Sequence, residues 1–141
     1  MEYNGVMKSG TPFRLPQYIQ EDTVMAKDVR GMLKAMSEGT VELANERPDV
    51  MGGFRTFMGN IEHGGVLDVK TKELIAIAIS VYCRCEYCIV YHTYNAFKSG
   101  ATRAEIIDAA ATAMIYGGGP TQAYIAATLM PCVDEFEKDF K

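Results

Sequence analysis

Three of the chain's four cysteines and one of its two histidines fall within residues 73–92, and this stretch constrains the rest. Its order is Glu73, eleven residues, Cys85-Glu86-Tyr87-Cys88, three residues, then His92. Residues 70–82 (KTKELIAIAISVY) are an almost unbroken apolar run after a charged first turn. That length suits a buried helix and falls short of a membrane span. Residues 85–99 form a second periodic segment that closes on Gly100, a residue suited to the position just past a helix end. On such a helix Cys85, Cys88 and His92 stand at i, i+3 and i+7 and share a face. Glu73 reaches that face only if the two helices pack side by side, as their short connection predicts. The stretch then supplies two thiols within bridging reach, a base one turn from the second thiol, and a carboxylate to orient the base.

The remaining composition narrows the setting. With 141 residues, 48% of them hydrophobic, the chain is one domain with a real core and is not disordered. A net charge of −4 without a dense basic cluster excludes a nucleic-acid surface, and no uncharged stretch is long enough to enter a membrane. The first residues, MEYNGVMKSGTPFRLP, lack the basic and apolar regions of a signal peptide, so the expected location is the cytoplasm. Structural disulfides are rare there, and clustered cysteines are more often catalytic or metal-binding.

Residues 1–16, with Pro12 and Pro16, read as an N-terminal arm, and residues 17–141 as a single helical domain. Val29, Met32, Leu33 and Met36 recur at three- and four-residue steps, with a break expected at Gly39 and Thr40 as a new N-cap. Pro48 suits the first turn of a helix carrying Val50, Met51, Phe54, Phe57, Met58 and Ile61, although Gly52-Gly53 weakens it. Asp68 is placed to cap the helix that holds Glu73. Thr102 and Glu105 make a capping box for a helix whose expected inner face is Ile106, Ile107, Ala110, Met114 and Ile115. Gly117-Gly118-Gly119-Pro120 should end it and start a last helix with a kink near Pro131. With no hairpin signal, the expected fold class is all-α with six to seven short helices. The many alanines imply close helix approach and oligomeric packing.

A thiol in the first turn of a helix meets unpaired backbone N–H groups and the positive dipole end, which favour thiolate, and Arg84 adds to that field. Thiolate is the nucleophile of disulfide exchange and of peroxide attack. The dipole singles out Cys85; proximity to the base His92 singles out Cys88, which is preferred because peroxide attack also needs proton transfer. Two other readings stay open: buried thiols packed as small hydrophobes, and a metal site drawing on Cys83, Cys85, Cys88 and His92. No cofactor is expected on the redox reading. His63 reads as a loop residue, and Tyr91 and Tyr94 as packing residues with a wet end.

The pattern Glu73-x11-Cys85-x-x-Cys88-x3-His92, with LDVKTKELIAIAIS before it and KSGATRAEI and GGGP after it, resembles the alkylhydroperoxidase D family within the carboxymuconolactone decarboxylase-like superfamily. The resemblance covers roughly half the chain and implies an all-α, homotrimeric or homohexameric protein. It further implies that Cys88 attacks a hydroperoxide, Cys85 resolves the sulfenic acid, and Glu73 and His92 relay the proton. A dithiol or thioredoxin-like protein would regenerate the pair. Tyr87 stands where the family's relay histidine is expected, just before the second cysteine. A phenol does not exchange its proton readily near neutrality, so Tyr87 is expected to hold a water or orient a partner. The alternatives are a disulfide-exchange partner or redox sensor with little peroxidase activity, a metal-binding oligomer, or a lactone decarboxylase, against which the cysteine pair argues.

Overall fold

Capping side chains set most of the helix starts. The structure is a computed structural model that describes residues 27–141. The arm at 1–16 and the first residues of the expected helical domain, 17–26, lie outside the described residues. The first helix, α1 (Val29–Glu46), starts at Asp28, whose carboxylate accepts the Gly31 N–H at 2.8 Å. The break expected at Gly39 is absent. The Thr40 hydroxyl donates to the Met36 carbonyl at 2.7 Å, as a residue inside a helix does, instead of capping a new one. One glycine costs a helix only about 1 kcal/mol, too little to interrupt one this long.

Helix α2 (Pro48–His63) begins with proline at its first turn and stays helical through Gly52-Gly53. His63 is its last residue, not a loop residue. The end of α2 is tied to the next helix by Lys72, whose ammonium donates to the carbonyls of Ile61 (2.7 Å), Glu62 (3.0 Å) and Gly64. A cation on the last free carbonyls complements the helix dipole. Of the apolar residues in α2 only Met51 is buried. Val50, Phe54, Phe57 and Ile61, spaced along one face, stay about half exposed.

Helix α3 (Val69–Cys83) is capped by Asp68, which accepts the Thr71 N–H at 2.7 Å. It ends at Arg84 in the left-handed region, with φ of 60°. The chain then turns through Cys85 into α4 (Glu86–Lys98), so α3 and α4 are forced side by side. Gly100, with φ of 82°, closes α4, and the Ala101 N–H returns to the Ala96 carbonyl at 2.9 Å. The capping box of α5 (Arg103–Tyr124) forms as the sequence indicates. The Thr102 backbone N–H and Lys70 of α3, 2.9 Å away, hold the Glu105 carboxyl down at about 2.

The chain bends at Gly118, which takes φ of 55°, but no loop separates the segments on either side. Helical structure continues through one π-helical turn (Ile125–Leu129) and a terminal segment (Met130–Phe136) before a 3₁₀ turn (Glu137–Asp139). The described residues therefore make five helices, not the six to seven expected, because residues 103–136 form one bent rod. The irregularity near Pro131 is the widened turn before it. A proline in a helix removes one N–H and crowds the carbonyl four residues back, here that of Ala127.

The core lies where α3 meets α4 and α5. Ile77, Val81, Ile89, Val90, Ile106, Leu129, Val133 and Phe136 are fully buried, and Ala110 and Ala113 let α5 approach closely. Met114 and Ile115, expected on the inner face of α5, point outward, Ile115 being 79% exposed. The run from Ile106 to Ile115 is apolar nearly all round, so its periodicity could not tell one face from the other. Among the described residues there is no strand, and no helix is long and apolar enough to cross a membrane.

Candidate active site

Cys85 is the N-cap of α4, and its sulfur accepts the Cys88 backbone N–H at 3.3 Å. This residue pair forms a disulfide, with Cα atoms 5.2 Å apart. The local cause is the tight α3–α4 junction, which places one thiol just before the first turn and the other inside it. Both sulfurs therefore sit at the positive end of the helix, where thiolates gain from free N–H groups once the bond is reduced.

One turn beyond Cys88, His92 Nδ1 lies 2.7 Å from Glu73 Oε2. Glu73 is 6% exposed, so it is not the solvated first-turn acid that its position on α3 alone would suggest. A buried carboxylate needs a partner, and this one has an imidazole brought to it by the packing of α3 on α4. With Nδ1 donating to the carboxylate, Nε2 is the ring nitrogen left to accept a proton. Tyr91 stands edge-on to the His92 ring, with centroids 5.2 Å apart. Tyr87 is 51% exposed beside Cys88. Tyr94 packs edge-on against Phe136 and Phe140, as a packing residue should.

The other two cysteines differ from the pair and from each other. Cys83 is an exposed free thiol at the end of α3. Cys132 is fully buried, and burial pushes its thiol up to about 12. The four-ligand set Cys83, Cys85, Cys88 and His92 does not converge: among the described residues no three such side chains meet at one point.

The sequence reading missed one group. Lys27, just ahead of α1, lies 2.5 Å from the Glu86 carboxylate between the two cysteines and 3.0 Å from the Thr128 hydroxyl on the π-helical turn. Nothing in the sequence signals contacts across 59 and 101 positions.

The profile of the carboxymuconolactone decarboxylase family matches residues 48–129, which span α2 to the end of the π-helical turn and include Glu73, Cys85, Tyr87, Cys88 and His92 but not Lys27. The chain belongs to this family. An uncharacterized protein of Cupriavidus necator is 30% identical over 105 residues, which is 74% of this chain and 93% of that protein. A protein of Paracoccus denitrificans described as uncharacterized protein 4 in the cox locus is 34% identical over 73 residues, 52% of this chain and 65% of its own. Among solved structures, the apo form of a carboxymuconolactone decarboxylase family protein from Legionella pneumophila is 33% identical, with a TM-score of 0.71. It is matched by 80% of this chain over 97% of its own length. The family includes decarboxylases and alkylhydroperoxidase D-like peroxidases. Membership fixes the fold and leaves the reaction to the residues of the site.

Proposed function

We propose that this family member is a dithiol oxidoreductase that reduces hydroperoxides. The observation that carries the proposal is the buried Glu73–His92 pair, held one turn from a cysteine couple at a helix start. The Cys88 thiolate attacks the peroxide, giving a sulfenic acid and, after protonation, an alcohol. The Cys85 thiol then condenses with the sulfenic acid, releasing water and forming the disulfide. An external dithiol, such as a thioredoxin-like protein of the cytoplasm, takes up the oxidising equivalents and returns the pair to its thiols. Glu73 orients His92, and His92 accepts the Cys88 proton and returns it to the leaving oxygen.

Consumption of an alkyl hydroperoxide in the presence of a small dithiol tests this reading. Loss of peroxide that depends on Cys88 is the expected result. Rapid reduction of the disulfide by dithiol without peroxide turnover would favour the second reading, a disulfide-exchange partner or redox sensor. The exposed phenol of Tyr87 beside Cys88 supports that second reading, since it offers a contact to a docking protein.

The same assay reads the part played by Tyr87. Tyr87→His is expected to raise peroxide turnover by about 10-fold, the low end of general acid–base effects, because imidazole exchanges a proton near neutrality. Exchange with a small dithiol should change much less. Flat turnover would mean that the position carries no proton.

Assembly into a homotrimer or homohexamer is part of the proposal. It is supported by the outward stripe of Val50, Phe54, Phe57 and Ile61, an apolar face a lone chain leaves in water. Light scattering at micromolar concentration should return a multiple of the 15.6 kDa chain mass. A monomer would refute it.

A further inference from the structure

Glu86 creates an electrostatic problem for the chemistry just proposed. It follows Cys85 directly and precedes Cys88 by two residues, so it adds a negative charge to the first turn that holds both thiols. A like charge at such range disfavours ionisation, and a partly exposed one does so in reduced measure. Lys27 answers it. Its ammonium lies 2.5 Å from Glu86 Oε1 and is steadied at 3.0 Å by Thr128 Oγ1. The two side chains are 28% and 42% exposed, so the pair is neither buried nor fully solvated.

Three separate parts of the fold contribute to this arrangement. Lys27 comes from the residues just ahead of α1, Glu86 from the first turn of α4, and Thr128 from the π-helical turn. Thr128 is 1% exposed, and its hydroxyl accepts from Lys27 within the widened turn. The other charged or titratable groups close to the couple are Cys83, Arg84 and Tyr87, next to it in the chain, and Glu73 and His92, bonded to each other. None of them is bonded to Glu86, whereas Lys27 is.

We propose that Lys27 is a positioning residue that neutralises Glu86 and thereby sets the redox poise of the Cys85–Cys88 couple. The inference rests on the dithiol reading of the site, though not on peroxide being the substrate. In the half-reaction the disulfide takes up two electrons and two protons to give two thiols, one of which ionises. Whatever stabilises the thiolate shifts the couple towards its reduced form. Without Lys27 the Glu86 charge is uncompensated and the reduced form loses ground. Without Glu86 the Lys27 charge is uncompensated and the reduced form gains.

The test is equilibration of the full-length protein with dithiothreitol in its reduced and oxidised forms, scored by thiol labelling across a pH series. Here the protein disulfide is reduced as dithiothreitol closes to its cyclic disulfide. Lys27→Met should lower the equilibrium constant for reduction by about threefold, and Glu86→Gln should raise it by about threefold, a half-unit effect suited to a partly screened charge. The double variant should return close to the starting value, and Lys27→Arg should stay close to it. Alkylation of the reduced protein should slow in Lys27→Met and quicken in Glu86→Gln near neutral pH. Single variants that shift the constant in the same direction, or not at all, would overturn the proposal. A loss of thermal stability in Lys27→Met with an unchanged constant would reduce the lysine to a tether and overturn it equally. A couple that dithiothreitol cannot reduce in the unsubstituted protein would instead defeat the dithiol reading on which the inference rests.

Discussion

Glu73→Gln is expected to slow alkylation of Cys88 and peroxide turnover near neutral pH by at least about 100-fold, and His92→Ala by a similar factor. General-base contributions are typically about 10²–10⁴ in rate. Glutamine keeps the shape of the buried side chain but removes the charge that holds Nδ1 as the donor and steadies the protonated ring. Because the carboxylate acts only through the imidazole, the double variant should lose little more than the worse single one. Losses that multiply would mean that the residues act independently, and the relay would be wrong. The geometry makes this a sharp test, since 2.7 Å joins the pair and Glu73 has almost no access to solvent.

The second large effect is on stability. Phe136 is fully buried, edge-on to the Tyr94 ring with centroids 5.4 Å apart, and covered by the Arg30 guanidinium 5.8 Å from its centre. Arg30 is itself held over the C-terminal segment by Glu135 at 2.5 Å and Asp139 at 2.9 Å. Truncation to alanine leaves a cavity between that segment and α4, and such changes cost about 3–5 kcal/mol. Thermal unfolding of Phe136→Ala should therefore begin more than about 10 °C lower. A drop of only a few degrees would mean that the segment collapses freely into the gap. Disulfide reduction measured well below the transition should persist, because the α3–α4 junction does not depend on this ring.

What could be read from the sequence was what is decided locally. Asp68, Pro48 and the Thr102–Glu105 box mark helix starts through contacts within a single turn, so residue type and spacing carry the information. Cys85, Cys88 and His92 lie on one helix, and Glu73 is separated from them only by a junction too short to allow much freedom. What failed was decided by packing. Gly39 carries a real local penalty, yet the length of α1 overrides it. Val50, Phe54, Phe57 and Ile61 have the spacing of a core face and are left exposed on the chain taken alone. Met114 and Ile115 face outward against expectation because an apolar helix does not announce which side meets its neighbour. Lys27, 59 positions from Glu86, left no trace at all.

The π-helical turn bears on how the chain can change in length. An α-helical turn takes about 3.6 residues, so a widened π-helical turn absorbs a surplus residue while the helix after it keeps its register. Removing Ala126 or Ala127, both exposed, would let the backbone relax into a regular spiral. The same deletion would leave the terminal segment close to its present register, because the widened turn closes to an ordinary one. Cys132, Val133 and Phe136 would then keep their buried face, whereas a deletion in a regular part of the rod would turn them by about 100°. Two side chains with little to contact thus mark the place where this rod can gain or lose a residue without turning its buried face to water.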